Sequence, residues 1–220
     1  MISIALDGPS GAGKSTVAKA IAKELGYIYV DTGAMYRTIA LFTLRNGADP
    51  TDEAAVTAIL PRLVLEVKYI DGAQRMFLCG EDVSEKIRTN EISMCASKVS
   101  ALPAVRAFLL DLQRDMAKKN NVIMDGRDIG TVILPDATVK FFMNASDEAK
   151  AKRRYEELLA KGESITLEEV RKTMAERDKN DSTRKIAPAI PAADAIMLDN
   201  SESLEKTLET AINIIKEKIQ

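Results

Sequence analysis

A glycine-rich segment near the N-terminus has the residue types and the spacing of a phosphate-binding loop. It consists of Gly8, Pro9, Ser10, Gly11, Ala12, Gly13, Lys14, Ser15 and Thr16. The glycines let successive backbone N–H groups curl around a phosphate, and the helix that follows adds the positive end of its dipole. Lys14 would reach the β- and γ-phosphates, and the Ser15 hydroxyl would ligate Mg²⁺. The segment therefore predicts a triphosphate site with its magnesium ion.

A second polar segment, residues 31–37, directly follows an apolar run and so lies at the carboxyl end of a predicted strand. Thr32 supplies a hydroxyl, Tyr36 a phenol and Arg37 a guanidinium group. These groups suit a second ligand that carries a phosphate. The alternative is an ordinary helix N-terminus, with Asp31 or Thr32 as its N-cap.

A third segment, residues 125–128, ends another predicted strand. Asp125 would hold Mg²⁺ through water, and Arg127 would meet a phosphate. Asp128 would accept hydrogen bonds from the exocyclic amine of a base. A carboxylate pairs naturally with the N4 amine of cytosine, because it offers only acceptors. The alternative is an ion pair between Arg127 and a carboxylate that fixes a turn.

Arginines are concentrated in the C-terminal half of the chain. Arg153 and Arg154 are adjacent, and Arg177 and Arg184 flank a polar stretch. Guanidinium groups make bidentate contacts that stabilise the oxygens of a transferring phosphoryl group. Because apolar periodicity stops after Met174, we expect Arg177 and Arg184 on a helix end and a loop. For Arg153 and Arg154 the alternative is a solvated helix face.

Composition narrows the chemistry further. The chain of 220 residues has 31 basic and 33 acidic side chains, a net charge of −2, which gives no general attraction to nucleic acid or anionic membranes. It contains no histidine, which excludes Ser-His-Asp triads and histidine zinc sites. Phosphoryl transfer needs no histidine, because its catalysis rests on positioning and electrostatic stabilisation.

Cellular location and redox state are also constrained. No apolar run approaches the length of a membrane span and no targeting segment is evident, so we expect a soluble cytoplasmic protein. The two cysteines, Cys79 and Cys95, lack the spacing of a metal site. Cys79 lies in an apolar run and is predicted to be a small core residue.

The elements that must position these residues alternate between short apolar runs and helical patterns. The runs that predict buried strands are residues 2–6, 27–30, 122–124, 139–143 and 195–198. Strands that alternate with helices in this way predict an α/β fold with a parallel sheet and crossover helices.

One stretch departs from this alternation. Residues 63–70 and 75–80 flank an Asp-Gly pair, which predicts an antiparallel hairpin. The connection between the second and third predicted strands is much longer than a crossover needs. We therefore expect a small α+β insert, and inserts on such sheets usually carry substrate specificity because ligands bind beyond the carboxyl ends of the strands.

Four sequence blocks together resemble those of the bacterial cytidylate kinases, in that family's order and near its spacing. The blocks are G-P-S-G-A-G-K-S-T, D-T-G-A-M-Y-R, D-G-R-D-I-G-T and E-R-D-x-x-D-x-x-R, followed by a similar closing segment at 187–195. The resemblance covers essentially the whole chain. It implies the P-loop nucleoside-monophosphate-kinase fold, in which helices flank a five-stranded parallel sheet that carries a monophosphate-binding insert and a short helical lid.

The same resemblance implies an activity and a domain organisation. The activity is transfer of the γ-phosphoryl group of MgATP to CMP or dCMP. The single domain would comprise a core (about 1–60, 103–150 and 185–220), an insert (about 61–102) and a lid (about 151–184). The resemblance also implies a monomer whose partners are small nucleotides rather than nucleic acid or membrane. The alternatives are a P-loop kinase for another acceptor (another nucleoside monophosphate, shikimate or dephospho-coenzyme A) and a P-loop switch or motor protein.

The resemblance further implies how the acceptor nucleotide is held. Thr32 and Tyr36 would touch the nucleotide, and family members often have serine where this chain has Thr32. Ser97, Arg106 and Asp128 would meet the edge of the cytosine. These side chains would set the preference for the base.

Charged side chains would bind the remainder of the nucleotides. Asp181 would bind the acceptor ribose and Arg37 the acceptor phosphate. The cations implied to take part in catalysis are Lys14, Arg127, Arg153, Arg154, Arg177 and Arg184. Among these, Arg177 and Arg184 would also clamp the acceptor, and the adjacent pair at 153 and 154 would belong to the lid.

Overall fold

The computed structural model describes residues 1–160 and 162–219. The chain divides into two compact units: a first unit, Met1–Tyr29 with Ala117–Gln220, and a second unit, Val30–Met116. The predicted insert, about 61–102, falls within the second unit, which extends beyond it on both sides. The division into core, insert and lid stays a prediction.

Within the described residues, eight strands build two sheets. They are β1 (Ser3–Asp7), β2 (Ile28–Asp31), β3 (Leu65–Ile70), β4 (Ala73–Leu78), β5 (Glu81–Asp82), β6 (Val122–Gly126), β7 (Val139–Asn144) and β8 (Ile196–Asp199). The larger sheet has the order β2-β6-β1-β7-β8. Strand β1 pairs in parallel with β6 and β7, and β7 pairs in parallel with β8. The predicted five-stranded parallel sheet is confirmed.

The central strand of this sheet is β1. Ile4 and Leu6 are fully buried, and so is the alanine between them. A strand that is covered on both faces needs apolar side chains at consecutive positions, which explains the unbroken apolar run in the sequence. Asp7 lies opposite Gly126 in β6, so the carboxyl ends of these two strands meet at one edge of the sheet.

Eight α-helices occur in the described residues. They are α1 (Lys14–Leu25), α2 (Thr32–Arg45), α3 (Glu53–Ile59), α4 (Asn90–Val99), α5 (Pro103–Lys119), α6 (Asp147–Ala160), α7 (Leu167–Thr183) and α8 (Leu204–Ile219). In the first unit, α1 and α8 pack on the sheet. Val17 and Ile21 of α1 share one core with Ile215 of α8 and Phe141 of β7. That core holds the sheet edge against the helix that begins at Lys14.

Helices α6 and α7 share a separate small core. Leu158 of α6 packs with Val170 and Met174 of α7. Helix α7 begins with the capping box predicted by its sequence, in which Thr166 and Glu169 bond reciprocally.

The predicted position of two arginines is only partly right. We expected Arg177 and Arg184 on a helix end and a loop, but Arg177 lies inside α7 and Arg184 is the residue after its last turn. Apolar periodicity ends at Met174, yet the helix continues because its buried face there is polar and includes Asp181.

The second unit contains the predicted hairpin. Strands β3 and β4 pair antiparallel around a turn in which Asp71 and Gly72 have φ of 52° and 74°. The prediction for Cys79 is wrong, because this residue is exposed. It follows the last residue of β4 with φ of 48°, so the alternation of the strand no longer determines its burial.

Among the described residues, no single helix is long and apolar enough to cross a bilayer. Helices α4 and α5 have the necessary length and composition only as a pair, with a bend of 98° between them.

Candidate active site

The phosphate-binding loop connects β1 to α1 in the first unit. Its six connecting residues, 8–13, run from the carboxyl edge of the sheet to the N-terminus of the helix. Gly8 has φ of 145°, and a Cβ at this position would overlap the carbonyl oxygen of Met143 in β7. Only glycine fits here, because both the backbone conformation and the close approach exclude a side chain. The strand, loop and helix predicted from the sequence are therefore present.

Lys14 is the buried cation of this loop. Its Nζ donates a hydrogen bond to the carbonyl oxygen of Pro9 at 2.6 Å. Burial, and then the positive charge of Arg127, lowers the pKa of Lys14 to about 7. A negatively charged ligand near Nζ would favour the ammonium form, so the environment of Lys14 suits a phosphate.

Ser15 and Asp125 supply the oxygen atoms expected of a magnesium site. The Ser15 Oγ donates a hydrogen bond to Asp125 Oδ2 at 2.7 Å, and Asp125 is buried. Hydroxyl and carboxylate oxygens are ligands that suit Mg²⁺, which usually takes one or two protein ligands together with substrate phosphates. The donor set therefore fits the predicted ion.

Asp7 lies at the junction of the strand and the loop. Its two carboxylate oxygens accept hydrogen bonds from the backbone N–H groups of Ile129 at 2.8 Å and Gly130 at 2.7 Å. These residues open a π-turn at Ile129–Ile133, directly after Asp128. Burial raises the pKa of Asp7 to about 6, although the two backbone hydrogen bonds oppose that shift. Asp7 thus connects the start of the phosphate loop to the segment that carries Arg127 and Asp128.

Two ion pairs connect that segment to α7 and to the residue that follows this helix. Arg127 Nε lies 3.1 Å from Asp181 Oδ2, and Arg184 Nη2 lies 3.3 Å from Asp128 Oδ1. Burial tends to raise the pKa of Asp181, but the guanidinium groups around it, of which Arg127 is the strongest, bring the pKa below its usual range. The ion pair that was the alternative for Arg127 is therefore present, and it joins residues predicted to bind substrate.

Arg153 and Arg154 are placed differently from each other on α6. Arg153 Nη2 donates to the carbonyl oxygen of Asn200 at 2.6 Å, and its Nη1 is buried without a hydrogen-bond partner in the described part of the chain. Arg154 forms an ion pair with Glu157 one turn further along the helix, at 2.9 Å. Only Arg153 is thus linked to the loop region, since Asn200 also donates from Nδ2 to the carbonyl oxygen of Ala12 at 2.9 Å.

Asp31 is a buried carboxylate at the start of α2 in the second unit. Its Oδ1 accepts from the Ala34 N–H at 2.8 Å, so it is the N-cap that the sequence left as an alternative. Its Oδ2 accepts from Arg37 Nη2 and from Arg88 Nη1, each at 3.0 Å. Gln74 bonds both backbone groups of this residue, at 2.8 and 3.1 Å. We call Asp31, Arg37, Gln74 and Arg88 the Asp31 cluster.

The charges within the Asp31 cluster are unequal in number. Burial tends to raise the pKa of Asp31, but Arg37 and then Arg88 outweigh that effect and hold it below its usual range. One carboxylate therefore faces two guanidinium groups. The Nε of Arg37 is buried and has no hydrogen-bond partner within residues 1–160 and 162–219, so this group keeps a donor for an anion.

The predicted acceptor-binding residues Tyr36, Ser97 and Arg106 of the second unit are linked to one another. Arg106 on α5 lies over the ring of Tyr36 on α2, 5.8 Å from the ring centre. Arg106 Nη1 donates to the Ser100 carbonyl at 3.0 Å, and Ser100 Oγ donates to the carbonyl of Ser97 at 2.9 Å. Thr32, the first residue of α2, is buried. The other predicted acceptor residues, at 128, 177, 181 and 184, belong to the first unit.

Several residues with contacts to these sites were not predicted. They are Asp7, Gln74, Arg88, Lys150, Asp178 and Asn200. Two of them, Asp7 and Asn200, end or follow parallel strands, where ligand sites are expected in such sheets. That rule could have identified these two, whereas no local pattern marks the others.

The parallel sheet and its glycine loop define a P-loop α/β protein. A family model described as cytidylate kinase matches residues 4–219. The cytidylate kinase of Caldicellulosiruptor bescii is 46% identical over 223 residues, which cover 99% of this chain and 99% of that protein. That of Streptococcus mutans is 48% identical over 221 residues, which cover 100% of this chain and 96% of that protein. The chain belongs to the cytidylate kinase family.

A solved structure supports the fold alone. The crystal structure of an uncharacterized protein from Eubacterium ventriosum superimposes with a TM-score of 0.52 at 16% sequence identity. The match covers 99% of this chain and 97% of that one.

Proposed function

We propose that this protein transfers the γ-phosphoryl group of ATP to CMP or dCMP, with release of ADP and CDP or dCDP. The observation that carries the proposal is membership of the cytidylate kinase family over residues 4–219. The phosphate loop with Lys14, and the oxygen pair of Ser15 and Asp125, agree with ATP and Mg²⁺ as the donor side.

The chemistry requires positioning and charge neutralisation. An acceptor phosphate has a second pKa of about 6 and is already largely ionised at neutral pH, so no general base is needed to activate it. Lys14 and the residues at 8–13 would hold the donor phosphates, while Ser15 would hold Mg²⁺ directly and Asp125 through water. When bound, Mg²⁺ neutralises charge on the β- and γ-phosphates.

The remaining roles are assigned residue by residue. Arginines are proposed to neutralise the transferring group and the acceptor phosphate; they are Arg37, Arg127, Arg177 and Arg184, with Arg153 and Arg154 in the lid. The acceptor nucleoside is proposed to contact Thr32, Tyr36, Ser97, Arg106, Asp128 and Asp181. We propose a cytoplasmic monomer that acts on small nucleotides and not on nucleic acid or membranes, in keeping with its net charge of −2.

An acceptor panel tests this function. ADP release from MgATP should require an acceptor, and CMP should exceed UMP, AMP, GMP and shikimate in kcat/KM by more than about tenfold. The variant Asp128→Ala should narrow the preference for CMP more than it weakens ATP binding, because its carboxylate is proposed to accept from the cytosine amine. Hydrolysis of ATP at full rate without any acceptor would contradict the kinase function. An unchanged acceptor preference in the variant would remove Asp128 from the base-reading set.

A further inference from the structure

Charged side chains recur at intervals of three residues at the end of α7 and at the residue that follows it. They are Asp178, Asp181 and Arg184. Asp181 pairs with Arg127, and Arg184 pairs with Asp128. These four partners are all proposed to contact substrates, so their mutual ion pairs must be exchanged for contacts with nucleotides during the reaction. Asp178 has no part in that scheme.

Asp178 contacts the phosphate loop itself. Its Oδ1 accepts a hydrogen bond from the backbone N–H of Ser10 at 2.9 Å, and its Oδ2 lies 3.5 Å from Lys150 Nζ on α6. Beside it, a Cβ on Gly11 would lie only 2.6 Å from Met174 Cε, so the same helix also packs against the next residue of the loop. Asp178 is therefore a polar contact between α7 and the loop backbone.

Ser10 belongs to the loop that is proposed to hold the donor phosphates, but its own backbone N–H already donates to Asp178. Ser10 precedes α1 by four residues, whereas helix N-termini bind phosphate through the N–H groups of their first turn. A backbone N–H that already donates a hydrogen bond to a carboxylate is satisfied without a phosphate. The contact between Asp178 and Ser10 can accordingly persist while ATP is bound.

The packing of α7 explains why such a contact matters. Val170 and Met174 pack with Leu158 of α6 in a small core of their own. The main core of the first unit, as far as the described residues show it, includes no side chain of α7. Polar contacts therefore help to hold α7 beside the phosphate site: the ion pair of Asp181 with Arg127, and the contact of Asp178 with the loop backbone.

We infer that Asp178 is a positioning residue, which anchors α7 to the phosphate loop and so aims Arg177 and Arg184 at the transferring phosphoryl group. The inference rests on the proposed function, because it concerns the arginines of that reaction. Asp178 contacts the loop backbone and thus supports catalysis through geometry.

Steady-state kinetics of Asp178→Ala, Asp178→Asn and Glu176→Gln test this role. Glu176 is an exposed acid two residues away on the same helix and serves as the matched control. Asp178→Ala should lower kcat for CMP phosphorylation by about 10²-fold, because misplacement by an ångström costs that much. KM for ATP and for CMP should stay within about threefold, since an interaction that acts only in the transition state changes kcat alone. Asp178→Asn keeps an oxygen for the Ser10 N–H and should retain kcat within about fivefold of the unchanged protein, a conservative rescue.

The outcomes separate this inference from the proposed function. Failure of the unchanged protein to phosphorylate CMP would contradict the function, whatever the variants do. With that activity present, a kcat for Asp178→Ala equal to that of Glu176→Gln would overturn the positioning role.

A lower KM for ATP in Asp178→Ala would also overturn the positioning role, because the carboxylate would then compete with phosphate. Equal loss in the Ala and Asn variants would exclude the hydrogen bond to Ser10 as the cause. Melting temperature and ATP-binding stoichiometry, measured on each variant, correct kcat for unfolded protein.

Discussion

The phosphate loop of the first unit and the Asp31 cluster of the second unit are both built for charge, but by different means. The loop is a run of consecutive residues whose backbone conformation makes the site, with Gly8 pressed against a carbonyl of β7. The Asp31 cluster joins side chains that are 43 and 57 residues apart in sequence. The fold of the loop should therefore be destabilised most by an added methyl group. The fold of the Asp31 cluster should be destabilised most by the loss of a charged side chain.

The largest effect is expected from a methyl group added to the loop. Gly8→Ala combines backbone strain of about 1–3 kcal/mol with an overlap that costs a similar amount, so the free energy of unfolding should fall by about 2–6 kcal/mol. Gly72→Ala, in the hairpin turn of the second unit, serves as the control. Its φ of 74° is also positive, but apart from its chain neighbours no atom of the described residues lies within 4 Å of the added Cβ. Gly72→Ala should lower the free energy of unfolding by only about 1–2 kcal/mol.

Urea unfolding measures both glycine variants. Equal losses of stability would show that positive φ alone determines the cost. The close approach to Met143 would then add nothing to the loss of stability. The contrast between a loop built by its backbone and a cluster built by side chains would be weakened.

The same contrast explains how much of the molecule could be predicted. The loop, the hairpin turn at Asp71 and Gly72, and the capping box of α7 are local patterns, and all three are confirmed. Local patterns are sufficient there because neighbouring residues along the chain make the contacts. The predicted burial of Cys79 was wrong, because hydrophobic periodicity does not show at which residue a strand ends.

Contacts between residues that are far apart in sequence were not predicted. Asp7 bonds the backbone of Ile129, 122 residues away, and Asp178 bonds Ser10 across 168 residues. Nothing in the local sequence marks Asp178, and the position of Asp7 at the end of a strand indicates a ligand edge but not the partner of its carboxylate. Their roles depend on which strand or helix lies alongside, and a single sequence does not specify that.

A smaller effect is expected from removing the charge at the centre of the Asp31 cluster. Asp31→Asn keeps an N-cap oxygen but leaves two guanidinium groups without their carboxylate. Removing one partner of a buried ion pair leaves the other charge uncompensated, so Asp31→Asn should lower the free energy of unfolding by about 3 kcal/mol. Asp52→Asn is the matched control, because Asp52 caps α3 through Ala55 in the same way and is exposed. Asparagine and aspartate are equivalent N-caps, so this variant should change stability by less than about 0.5 kcal/mol.

Comparison of the two unfolding free energies decides whether side-chain charge builds this cluster. If the two variants lose equal stability, capping alone accounts for Asp31. The cluster would then be a helix start that happens to have arginines nearby.

The smallest effect distinguishes two buried carboxylates by the sign of their pH dependence. Asp7 accepts from backbone N–H groups, and burial raises its pKa to about 6, while Asp128 nearby raises it further and Lys14 lowers it. The pKa of Asp31 is instead lowered by its arginines. A carboxyl whose folded pKa is raised binds its proton more tightly in the folded state, so stability increases as pH falls through about 6. A carboxyl whose pKa is lowered stabilises the fold at neutral pH and loses that contribution in acid, below the unfolded pKa of about 3.9.

Urea unfolding at pH 7.5 and pH 5 of the unchanged protein and of Asp7→Asn tests this difference. By linkage, the unchanged protein should gain about 1 kcal/mol relative to the variant over that interval. The variant loses hydrogen bonds to Ile129 and Gly130 at every pH, so only the change between the two pH values is informative. Asp31→Asn should show no such relative change in this window, because Asp31 is ionised throughout it in both states. A parallel response of Asp7→Asn and the unchanged protein would mean that the backbone N–H groups hold Asp7 ionised as firmly as arginines hold Asp31. The distinction between the two carboxylates would then be lost.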